Sequence, residues 1–294
     1  MSGPIERAYH RVTVTVPNPV TGLVAVAATL LYIGLLDGLG VLLVVLGVLT
    51  VEPVSVWVAA AGLFGGPLAV VGSVAGYLGY HSVSGFVPVW KGVEYLSLGL
   101  LLHLFVSRSG SLTRGAPLRS LSQLRALATG IALAGLGSAA LFAWGYDVVG
   151  EFRFAPLVFL SGATQTLSAL LGAFVVFGVL PRLVGTERWR EASSALRSGL
   201  GPPPNPSTAW IRLSVLLLGV WLAVGTAVSV WFRTIAQIPT YQLRLRNLDV
   251  LLVFTDAGVF SHGGSSLQLG VGVTVLALWL LSLHRYDVFT RGRE

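Results

Sequence analysis

The chain has 294 residues, 54% of them hydrophobic and only 11% charged, with a mean hydropathy of +0.80; soluble domains carry about a quarter charged residues, so the composition points to an integral membrane protein in a lipid bilayer. The absence of cysteine excludes disulfides, thiolate metal ligands and cysteine nucleophiles. The net charge of +7 is almost all arginine, with Lys91 the one lysine, and its grouping beside apolar runs fits the positive-inside rule, so no nucleic-acid partner is expected.

The first 18 residues are polar and show no cleavage pattern after a short apolar core, so the first apolar stretch is expected to be retained as a span. That stretch, residues 19–51, is an apolar run of 33, too long for one straight crossing of about 20 residues. "DGLG" at 37–40 places Asp37 in a turn and divides the run into two elements, 19–36 and 39–51. Further spans are expected at 55–80, 88–106, 126–147, 156–181, 209–232 and 268–284.

Eight crossings with both termini cytoplasmic place fourteen basic residues on the cytoplasmic side of the cell membrane. Lys91, Arg153, Arg233, Arg244 and Arg246 then fall outside, an asymmetry that agrees with the rule. The expected fold is therefore an all-α polytopic membrane protein with about eight transmembrane helices. It divides into a six-span bundle (1–185), a polar, Pro-rich cytoplasmic linker (186–207) and a two-span extension (208–294). In the extension, the external loop 233–267 reads either as a strand or as an interfacial helix.

The fourth span opens with Trp90, Lys91, Glu94 and Tyr95. Lys91 and Glu94 are three residues apart and share a helix face, which Tyr95 continues. Two readings stand: an aromatic, ion-paired anchor at headgroup depth, or the wall of an outward-facing pocket. The next external loop supplies Trp144, Tyr146, Asp147, Glu151 and Arg153, the mixture of aromatic walls and few charges that an organic-ligand site needs. Gln165, flanked by Thr164 and Thr166, is a buried amide expected first to bond another helix and second to contact ligand. His103 reads as bridging or capping helices rather than as a proton relay.

No HExxH, G-x-S-x-G or Walker A motif occurs, and the five histidines are scattered. No catalytic residue, metal site or cofactor is expected, and the chain does not read as an enzyme.

"GLFGGPLAVVGSVAGYLGYHSV", residues 62–83, resembles the third-span signature of the substrate-binding (S) components of energy-coupling factor transporters. The broken first hairpin, the basic loop after span four and a sixth span running from "SGATQTLSALLGAF" to "VLPRL" match that layout over residues 19–185. The resemblance implies a six-helix bundle that binds a vitamin-like micronutrient near its outer face. It also implies that small residues of the first span, here Gly22, Ala25 and Thr29, dock on a membrane coupling subunit that carries two ATPases. The two spans after residue 207 have no counterpart in a minimal family member. The competing class is a non-catalytic membrane sensor or assembly subunit packed against other membrane proteins.

Overall fold

The computed structural model describes residues 19–39, 43–45, 49–83, 88–108, 120–148, 154–189, 208–236 and 269–278. These are almost entirely helical. In chain order they form α1 (Pro19–Leu39), a hairpin of β1 (Leu43–Val45) and β2 (Leu49–Val51), α2 (Pro53–Gly65), α3 (Pro67–Val83), α4 (Val89–Arg108), α5 (Leu121–Val148), α6 (Phe154–Val184), α7 (Thr208–Ala236) and α8 (Leu269–Leu278). A single further turn covers residues 186–189. Among the described residues α5 and α6, with mean hydropathy 1.8 and 2.1, are long and apolar enough to cross a membrane.

Two expectations for the N-terminal third need correcting. Residues 39–51 do not form a second helical element. Helix α1 continues through Asp37 to Leu39, and Leu43–Val45 pairs antiparallel with Leu49–Val51, Leu43 opposite Val51 and Val45 opposite Leu49. β-branched residues favour such pairing over helix. Nor is 55–80 one span. Helix α2 ends in a wide turn in which the Gly66 N–H donates to the Ala61 carbonyl, and Gly66 takes φ 79°, ψ −169°, a backbone region populated essentially by glycine. Pro67 then opens α3, at the position where a missing N–H costs nothing. The Gly-Gly-Pro sequence thus reverses the chain. Gly66→Ala is expected to lower stability by about 1–3 kcal/mol, read as a fall in thermal unfolding temperature in mild detergent; an unchanged melt would mean that the reversal carries no strain.

Packing contacts give the direction of each helix. The Tyr32 hydroxyl donates to the Pro53 carbonyl and the Trp57 indole to Thr29 Oγ1, so α2 returns antiparallel to α1. Helix α3 then runs parallel to α1: Gly72 lies on the Gly22 carbonyl, and Gly76 on Val26 and Thr29. Helix α4 descends beside α3, with Gly92 on Leu78 and Gly99 on Val70. Helices α5 and α6 pack antiparallel, Gly135 on Thr166 and Gly162 on Ala139. Among the described residues between 19 and 184, six helices therefore alternate in direction. Such small-residue contacts suit helices that pack without a hydrophobic force between them.

Two further contacts extend this core. Trp189 stacks on Phe64 at 4.0 Å between ring centroids, at the end of the bundle where the chain reverses. Trp221 of α7 is fully buried and meets Trp144 edge-on at 6.4 Å, while Gly225 rests on the Phe154 ring. The opposite end gathers β2, the C-termini of α3 and α5, and the N-termini of α2, α4 and α6.

Candidate functional site

Polar side chains converge at that second end. Glu52 immediately precedes Pro53 at the start of α2, yet its carboxylate does not cap the helix. It instead accepts hydrogen bonds from Ser55 Oγ (2.9 Å), Lys91 Nζ (2.8 Å), Gln165 Nε2 (3.1 Å) and the Tyr95 hydroxyl (3.3 Å). Its backbone N–H donates to Ser168 Oγ at 3.1 Å, which ties the start of α2 to α6. Three segments distant in sequence thus meet on one carboxylate.

Lys91 holds a second carboxylate. Its Nζ lies 2.6 Å from Glu94 Oε2, an ion pair off the axis of an aligned hydrogen bond. Glu94 is fully buried, and its other oxygen accepts a short hydrogen bond from Ser161. The ammonium also sits over the Phe142 ring at 4.8 Å and the Tyr95 ring at 5.3 Å, contacts that favour a cation. Tyr77 of α3 meets the Tyr95 ring edge-on at 4.8 Å and closes the cluster on that side.

The charges are only partly open. Side-chain exposure is 25% for Glu52 and 19% for Lys91, against 0% for Glu94. Ionised groups removed from water need partners of opposite charge and aligned donors; each carboxylate here accepts at least one hydrogen bond, and the two share the single Lys91 ammonium. The Gln165 amide bridges outward to Glu52 while its Oε1 remains buried without a hydrogen-bond partner.

Of the expected site residues, Lys91, Glu94, Tyr95 and Gln165 are brought together. Others serve elsewhere. Trp90 packs on Gly145, Trp144 turns toward α7 and α8, and Tyr146 meets the Phe142 ring edge-on at 4.8 Å. Asp147 accepts the first N–H of α6, from Phe154, at 3.2 Å, satisfying a helix-end donor. Glu151 and Arg153 lie outside the described residues. Gly22, Ala25 and Thr29, expected to face a partner, are turned onto α3, with Ala25 and Thr29 buried there. His103 is buried on α4. Among the described residues no group of three or more histidine or acidic side chains is arranged to hold a metal.

Sequence reasoning missed Glu52, Ser161, Ser168 and Phe142. Glu52 had a signal: it is the only glutamate between Glu6 and Glu94, set in a long apolar run. No family model, curated protein or solved structure matches this chain.

Proposed function

We propose that the chain is a polytopic cell-membrane protein whose outer end holds a small organic ligand, as the substrate-binding subunit of a micronutrient uptake transporter. Membrane residence is supported by the composition, by α5 and α6, and by an apolar exterior: Leu23 is 69% exposed and Phe174 62%. Exposed side chains of this kind suit lipid, while the ionised groups face inward, as membrane interiors require. With both termini cytoplasmic, the polar cluster faces outward.

The observation that carries the ligand reading is the fully buried Glu94, paired to Lys91 and linked through it to Glu52 and Gln165. An interfacial anchor needs neither a second buried carboxylate nor donors from α2 and α6. The resemblance to S components adds the coupling subunit and its ATPases as partners. Because Ala25 and Thr29 pack on α3, such a partner would meet the opposite face of α1, with Leu23, Val24, Leu30 and Leu31.

Native mass spectrometry of the gently purified full chain tests this reading. Wild type is expected to carry a bound small molecule that Glu94→Gln loses while remaining monodisperse. A chain free of small molecules but in stoichiometric complex with another membrane protein would favour the assembly-subunit reading instead.

A further inference from the structure

We infer that the ligand of this site is an organic cation bearing N–H donors, an amine or a protonated nitrogen heterocycle. The inference rests on the ligand-binding reading above and extends it from the balance of charge and of donors.

Among the groups in direct contact, two carboxylates, Glu52 and Glu94, face one ammonium, Lys91. The remaining partners, Ser55, Tyr95, Ser161 and Gln165, are neutral. Among the described residues, with both carboxylates ionised, the cluster therefore holds one negative charge in excess within largely apolar surroundings, where an uncompensated charge is costly. The Lys91 ammonium already meets both carboxylates and lies over two rings. Its charge is already matched by those carboxylates, so it offers no surplus positive charge to a ligand carboxylate or phosphate.

Gln165 supplies the independent observation. Its side chain is fully buried and its Oε1 has no hydrogen-bond partner. The amide cannot profitably turn over, because Nε2 must face the acceptor-only Glu52 carboxylate. What remains is an acceptor awaiting a donor beside a carboxylate awaiting a countercharge. One N–H-bearing cation satisfies both, entering on the side where Glu52 is a quarter exposed.

The test is thermal unfolding of the full chain in lipid nanodiscs with benzamidinium, benzoate or sodium as probe, at matched ionic strength. Benzamidinium is expected to raise the unfolding temperature by about 3 °C at saturating concentration, with benzoate and sodium inert. Glu52→Gln and the volume-conserving Gln165→Met should each abolish most of that shift; the second keeps all three charged groups should the first fail to fold. A benzamidinium shift that survives in Gln165→Met places the binding elsewhere and overturns the inference. Equal stabilisation by sodium overturns the organic class. Stabilisation by benzoate alone overturns the sign of the charge yet leaves the ligand-binding reading standing. If no probe acts, the inference fails, and native mass spectrometry separately decides whether a ligand of other chemistry occupies the site.

Discussion

Lys91→Met is expected to lower stability by about 3–5 kcal/mol, the cost of leaving a buried charge without its partner. Glu94 is fully buried, and without Lys91 only the Ser161 hydroxyl would stabilise its carboxylate. Glu52 would lose the same ammonium, but it is a quarter exposed, so water offsets part of that loss. Most of the penalty therefore belongs to Glu94. The double variant Lys91→Met/Glu94→Gln should recover much of it, because the second change removes the orphaned charge. Thermal unfolding of wild type, both single variants and the double variant measures the coupling. Strictly additive losses would show that the two side chains do not depend on each other.

How much of this was legible in the sequence depends on the distance over which each contact acts. The Lys91–Glu94 pair was readable because spacing within one helix fixes which side chains share a face, and Tyr95 followed from it. Gln165 was readable as a buried amide in an apolar span, although its partner was not. Glu52 escaped because its role depends on a chain reversal that brings the start of α2 beside α4 and α6. In sequence it reads as an ordinary residue before a helix-opening proline.

The described residues of the loop cluster are dispersed for a related reason. Trp144, Tyr146 and Asp147 lie within four residues of one another, but successive helical positions point in different directions. Trp144 consequently faces α7 and α8, Asp147 faces the start of α6, and only Tyr146 approaches the cluster, by way of Phe142. Proximity in sequence does not make these three side chains converge in space. The hairpin error was local instead: apolar Val-rich sequence satisfies a membrane helix and a strand equally well, and length alone favoured neither.

The glycine stripe of α3 leads to the second large effect. Gly72→Leu is expected to cost about 3 kcal/mol, toward the upper end of the range for overpacking. Any β-carbon at position 72 would overlap the Gly22 carbonyl and come within 2.9 Å of the Ala25 methyl. Both obstacles belong to the α1 backbone or stand next to it, so no rotamer change relieves them. Helix α1 must move away from α3. That movement breaks the bridge in which the Trp57 indole donates to Thr29 Oγ1 at 2.8 Å and Ser73 Oγ at 3.1 Å. It also shifts Tyr77, which α3 holds against Tyr95 at the polar cluster, so ligand retention should fall together with stability. Gly79→Leu is the matched control: the same helix and the same added volume, but nothing within 4 Å of its new β-carbon. It should match wild type or exceed it by up to about 0.8 kcal/mol, since leucine favours helix more than glycine does. Equal melting of the two variants would mean that close approach of α1 to α3 does not hold this end of the bundle together.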